Sequence, residues 1–415
     1  MKILVSSGLG RLHFNKIASL LKKYTSNNVT FITGSIPNRL IAKSIFYLLG
    51  RFIYGYKPSV ERIADRIPDG FSKKKVISLH FPDLVLFILL FFNKFNLCSI
   101  DRAYSVSYYI FGLISSLYVK NFDLLYIRAG AGSKVIDRAK KLNKIVIVDY
   151  SSAHPNDIFN SLKKSNSKSA LNTFNQRKNL WKMAIEDVLK SDFVVVNSSY
   201  VKQSLIRNGV PDNKIYINNM PINFKSLPKK NRYDFFDKIN IAYSGRFISW
   251  KGCDVLLDVV NELSKTYQNI NLNIFGAIDP GYYKNKTFNN LKKKNFITEY
   301  GVISQEKLFE RLVDMDIYVF LSYSEGSAQS VKEAMSIGLP VICSKDSGAP
   351  IFHNKNGIIC DVNIKACCDA VSYLINSSYD RSRIGVSARN EIENNHNNHN
   401  FIQSFENMLN PKNEN

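Results

Sequence analysis

Short, nearly unbroken apolar runs recur through the first half of the chain, at residues 2–5, 29–33, 76–79, 124–127, 145–148, 193–196 and 214–217. Short β-branched runs of this kind read as strands. The spacing between the runs leaves room for crossover helices, which predicts an α/β unit. Between residues 223 and 238 the pattern lapses into the polar, breaker-rich Leu-Pro-Lys-Lys-Asn-Arg. A second series follows, at 239–243, 272–275, 297–300, 317–321, 341–344 and 358–360. The chain therefore reads as one α/β domain over residues 1–225 and another over 226–395. Residues 396–415 add an amphipathic helix and a polar tail. Two such sheets leave a cleft between them, and ligands bind beyond the carboxyl ends of the strands.

Length agrees with this division, since 415 residues exceed the roughly 250–300 at which one hydrophobic core stops growing. A net charge of +22 gives the surface a field that attracts anions: nucleic acid, an anionic bilayer or a phosphorylated substrate. Lys and Arg are scattered and form no recognisable nucleic-acid module, so no nucleic-acid partner is expected. Six cysteines without a Cys-x-x-Cys spacing favour a reducing, cytoplasmic compartment. The opening Met1-Lys2-Ile3-Leu4-Val5 turns at Gly8 and lacks the form of a signal peptide. The apolar run at 84–92 falls short of the roughly 20 residues a spanning helix needs. Residues 103–119 are uncharged but carry serines and tyrosines, and read as a buried or interfacial helix. The histidines of the asparagine-rich stretch, His396 and His399, read as part of a low-complexity segment rather than as metal ligands.

The most informative segment is Ser322-Tyr323-Ser324-Glu325-Gly326-Ser327-Ala328-Gln329-Ser330-Val331-Lys332-Glu333-Ala334-Met335, followed by Ser336-Ile337-Gly338-Leu339-Pro340-Val341-Ile342. It reads as a buried strand end, a turn of small residues, a helix, a glycine stop and another strand. Free N–H groups and the positive dipole end at such a helix start suit a diphosphate. Glu333 lies a little over two helical turns beyond Glu325, so both carboxylates can line one ligand. Upstream, a strand ends in Gly245-Arg246, and Lys251 follows five residues later.

These two segments together resemble glycosyltransferase family 4, the glycosyl transferases group 1. The family comprises retaining nucleotide-sugar transferases of GT-B fold, in which two Rossmann-like domains face a central cleft. The resemblance implies that Arg246 and Lys251 neutralise the donor diphosphate, which gains charge as the glycosidic bond breaks. It implies Glu325 on the transferred sugar, with Glu333 on the ribose hydroxyls. Donor contacts would come from Gly245, Gly326, Ser327, Ala328, Gln329, Ser330 and Val302. The glycine-rich loop of Gly8 and Gly10 would face donor and acceptor, and His154, just past the fifth strand, would lie beside the reacting sugar. No cofactor is implied, because the UDP- or GDP-sugar donor is itself a substrate. No metal is expected either, since Asp314-Met315-Asp316 falls between a helix and a strand, where Asp316 serves the turn.

The chain departs from the family at Ser327-Ala328, where Phe-Gly is frequent, at Ile351, where an acidic residue is frequent, and at Asn219-Met220. The basic, aromatic residues 40–56 and the stretch up to Val119 suit the headgroup region of an anionic membrane. Peripheral attachment to the inner membrane face would bring a lipid-linked or glycan acceptor within reach, as in O-antigen, capsule or lipopolysaccharide synthesis. Two alternatives are a non-catalytic sugar-binding homologue and a basic nucleic-acid-binding protein.

Overall fold

Thirteen short strands among the described residues pair only with parallel neighbours, in two separate sheets. The computed structural model describes residues 1–10, 13–36, 66–72, 75–165, 167–222, 224, 227–235 and 237–410. The first sheet holds β1 (Lys2–Ser6), β2 (Asn28–Thr33), β3 (Val76–Ser78), β4 (Leu124–Arg128), β5 (Ile145–Asp149), β6 (Phe193–Val196) and β7 (Ile215–Ile217), in the order β3-β2-β1-β4-β5-β6-β7. The second holds β8 (Ile239–Ser244), β9 (Ile270–Phe275), β10 (Ile297–Gly301), β11 (Ile317–Phe320), β12 (Val341–Cys343) and β13 (Ile358–Ile359), in the order β10-β9-β8-β11-β12-β13. Every strand falls on an apolar run of the sequence.

Helices cover both sheets. In the first domain they are α1 (Phe14–Tyr24), α2 (His80–Lys94), α3 (Ile100–Ser115), α4 (Ser133–Lys141), α5 (Pro155–Lys164), α6 (Lys168–Asn175), α7 (Lys178–Lys190) and α8 (Ser199–Arg207). In the second they are α9 (Cys253–Leu263), α10 (Lys286–Lys293), α11 (Gln305–Leu312), α12 (Gln329–Ser336), α13 (Ile364–Asn376) and α14 (Ser378–Asn395). A last helix, α15 (Asn398–Leu409), follows. The spacing of Phe14, Ile17, Ala18 and Leu21 on α1 is that of a single buried stripe.

The chain switches direction across each sheet between β1 and β4, and again between β8 and β11. A crevice opens at such a switch point beyond the strands' carboxyl ends. The loop of Gly8 follows β1, that of Gly130 follows β4, that of Gly245 follows β8 and the Glu325 turn follows β11. Topology thus brings four loops to one cleft.

The last helix crosses back to the first domain. Phe401, Ile402, Phe405 and Met408 of α15 complete the core under Ile3, Val5, Phe14 and Tyr126. The Asn218 side-chain amide donates to the Phe401 carbonyl at 3.2 Å. A second apolar cluster joins Ala153, Ile158, Leu162 and Phe174 to Tyr323 and Trp250 across the cleft. No described helix is long and apolar enough to cross a membrane, and residues 103–119 fall largely within α3. Residues 40–56 lie outside the described residues.

Candidate active site in the interdomain cleft

Glu325 is set by the backbone on either side of it. Its N–H donates to the Asp346 carbonyl at 2.9 Å, and the indole N–H of Trp250 donates to the Ser324 carbonyl at 2.7 Å. Trp250 lies in the 3-10 turn Ser249–Lys251 after β8, so this bond ties the Lys251 turn to the Glu325 turn. The Lys251 ammonium then stands 3.3 Å from a Glu325 carboxylate oxygen, each side chain about a quarter exposed, and 5.3 Å from the centre of the Phe320 ring. Gly245 anchors the start of the turn by donating to the Phe275 carbonyl at 2.8 Å.

Past Glu325 the chain meets the other domain. The Ser198 hydroxyl donates to the Gly326 carbonyl, the Tyr200 and Ser324 hydroxyls lie 3.2 Å apart, and Ser161 donates to Asp346 at 2.9 Å. A Cβ on Gly326 would sit 1.7 Å from the Ser151 carbonyl oxygen, so only glycine permits this approach.

The helix that follows begins without a side-chain cap at Ala328, leaving its first N–H groups open to a ligand. Ala328 itself donates to the Ser347 carbonyl at 3.0 Å, and the buried Ser327 hydroxyl has no partner. Gln329 is exposed and Ser330 half-buried. Glu333 accepts from Gln305 at 2.8 Å, and burial raises its pKa.

Other predicted site residues make contacts of their own. Arg246 is 66% exposed and its guanidinium is 3.7 Å from Asp279; it lines a separate cavity of about 310 Å³ with Trp250, Asp254 and Tyr282. Val302 is 73% exposed beyond β10. His154 caps α5, its Nδ1 accepting from the Asn156 N–H at 3.2 Å, and burial lowers its pKa. Gly8 turns with φ +66°, and a Cβ there would sit 2.7 Å from the Tyr108 ring; Gly10 lines a cavity with Arg66, Asp83 and Tyr108. Asp316 accepts the Asn240 N–H at 2.7 Å, bridging β11 to β8. Among the described residues no three His, Cys, Asp or Glu side chains converge on a metal position.

Sequence reasoning missed His13. Its Nε2 stands 3.1 Å from both oxygens of Asp149, which also accepts from the Tyr126 hydroxyl at 3.0 Å. The available signal was position, because His13 closes the loop after β1 just as His154 follows β5. Asp149 ends β5 and lines a cavity of about 320 Å³ with Tyr104, Tyr108, Arg128, Arg177 and Trp181.

Two parallel α/β domains with cleft-facing loops define the GT-B class of fold. Residues 228–391 match the model of the family described as glycosyl transferases group 1. It is 28% identical over 219 residues to an uncharacterized glycosyltransferase of Methanocaldococcus jannaschii, covering 50% of this chain and 55% of that protein. It is 22% identical over 237 residues to the capsular polysaccharide biosynthesis glycosyltransferase CapM of Staphylococcus aureus, covering 55% and 60%. The chain thus spans about half the length of the curated relatives it matches. The crystal structure of Anabaena HepE in complex with UDP superposes over 99% of this chain and 100% of its own, with a TM-score of 0.65 and 14% identity.

Proposed function

We propose that this protein is a retaining glycosyltransferase that moves a sugar from a UDP- or GDP-sugar onto a glycan or lipid-linked acceptor in cell-envelope polysaccharide synthesis. The observation that carries the reading is the Lys251–Glu325 pair beside the uncapped start of α12. A diphosphate seated on the α12 amides would meet Lys251, with Arg246 swinging in from the rim. Fixed positive charge there stabilises the leaving group as the sugar C1–oxygen bond breaks. Glu333 would hold the ribose hydroxyls and Glu325 the transferred sugar. The acceptor hydroxyl forms the new bond to C1 on the face the diphosphate leaves, and its proton passes to a phosphate oxygen.

The capsular relative CapM supports the polysaccharide setting. An exposed apolar strip along α2 and its C-cap, comprising Phe81, Leu84, Ile88, Phe92 and Phe95, supports a bilayer-borne acceptor. Such a strip on a chain of net charge +22 suits an anionic lipid surface. Flotation with phosphatidylglycerol vesicles tests attachment: the wild type should float, and a Phe81→Ser, Leu84→Ser, Phe95→Ser variant should remain below. For the donor, melting temperature and diphosphate release are followed against a panel of UDP- and GDP-sugars in EDTA. One donor should both stabilise the protein and be slowly hydrolysed; a panel without any effect would contradict the reading.

A further inference from the structure

We infer that the acceptor is an anionic saccharide and that Arg128 and Arg177 read its carboxylate or phosphate. This rests on the transferase reading above and adds the substrate class. The 320 Å³ cavity lies past the carboxyl ends of β4 and β5, under α3 and α7, and falls at the lower end of the roughly 300–1,000 Å³ range of small-ligand sites. Ser151 on its rim touches Gly326, so a ligand in it is a neighbour of the Glu325 turn.

The lining combines flat aromatic walls with unneutralised positive charge. Tyr104 and Tyr108 stack at 6.5 Å, and Trp181 belongs to α7. Arg128 donates to the Tyr108 hydroxyl with its guanidinium 5.3 Å from that ring, which fixes its direction. Arg177 stands at the start of α7. The carboxylates nearby are already committed. Asp83 pairs with Arg66; Asp101 accepts the Asn179 and Leu180 N–H groups; Asp149 holds His13 and Tyr126. Among the described residues neither Arg128 nor Arg177 has an ion-pair partner. The Trp181 indole N–H is buried with no acceptor. Arg128 is part-buried, where a guanidinium left without a counter-charge is costly and a bidentate carboxylate or phosphate relieves it; Arg177, exposed on the cavity's lining, is free to share that anion.

The two arginines are also held in register. Asp101 on α3 caps α7 through the two bonds just named. At the other end Asp187 accepts from the N–H groups of Gly130, Gly132 and Ser133, each at 2.8 to 2.9 Å, fixing the loop after Arg128 to α7. The Tyr104 phenol lies near both guanidinium charges, although burial, the larger effect, raises its pKa.

The test saturates the protein with UDP or GDP, then titrates methyl glucoside, glucuronic acid and glucose 6-phosphate at constant ionic strength, with inorganic phosphate as the control anion. At least one of the two anionic sugars should bind about tenfold or more tightly than the neutral one, and the two arms distinguish carboxylate from phosphate. Arg177→Gln and Arg128→Gln should each abolish the preference while the nucleotide titration is retained. Arg177 is exposed, so its variant keeps the test alive if the other fails to fold. Equal binding of the three sugars, inorganic phosphate binding as well as the sugar anions, or a preference that survives both substitutions would overturn the assignment. Nucleotide binding without anion preference sinks the acceptor class alone. No binding of either nucleotide sinks the transferase reading, and the acceptor class with it.

Discussion

Lys251 and Glu325, one from the turn after β8 and the other from the turn after β11, meet at 3.3 Å because the Trp250 indole bonds the backbone beside Glu325. The loops belong to strands adjacent in the sheet, so the pairing follows from topology. Under the proposed function, the carboxylate gives the ammonium a partner until a diphosphate takes its place. Trp250 is therefore a positioning residue. In Trp250→Phe the bond to the Ser324 carbonyl is lost, and turnover should fall more than donor affinity. Comparing kcat with the UDP dissociation constant separates the two.

Glu333 sits apart from that pair, held by Gln305. A carboxylate on ribose hydroxyls contributes to binding before and during the reaction alike. Glu333→Gln should weaken UDP about tenfold by calorimetry, the worth of a hydrogen bond to a charged group, with a smaller change in kcat.

Gly326 presses on the Ser151 carbonyl, and any Cβ there must push the domains apart. In Gly326→Ala the two halves of the site should separate by a fraction of an ångström or more, and kcat/KM should fall by about a hundredfold. The Ser198 and Tyr200 contacts would be strained as well, so thermal unfolding should show a lower Tm.

His396 lies buried where the chain crosses back to α15, its carbonyl accepting from Ile222 at 2.9 Å. Burial, with the Lys332 ammonium nearby, depresses its pKa from 6.5 to about 4. The folded state therefore refuses a proton that the unfolded chain accepts. The neutral ring's stability is fully present above pH 6.5 and is lost as pH falls toward 4, an effect of order 3 kcal/mol. Asp187, whose pKa burial raises to about 6, contributes the opposite slope over much of that window. The check is accordingly a difference: urea unfolding at pH 7 and pH 5 should show a smaller acid loss in His396→Gln than in the wild type.

The central strands were legible because they are buried on both faces, so that Leu124, Leu125, Tyr126 and Ile127 form an apolar run that needs no tertiary knowledge to read. The Glu325 and Lys251 turns were legible through their glycines and charges. What escaped depended on distant parts of the chain. The amphipathic stripe of α15 announced a buried face but not that Phe405 would pack against Tyr126 of the first domain. His154 and His13 both follow strands, and only the fold reveals that one caps a helix while the other faces Asp149. The arginines of the 320 Å³ cavity come from β4 and from the start of α7, and no sequence spacing links them.

The central claim is that the Lys251–Glu325 site transfers sugar from a nucleotide donor. It is tested most directly by diphosphate release from the donor the panel selects, in wild type, Lys251→Ala and Glu325→Ala, all in EDTA. Loss of about a hundredfold or more in both variants, with the fold intact by circular dichroism, is the expected result. Release at the wild-type rate in both variants would place the chemistry elsewhere and contradict the account.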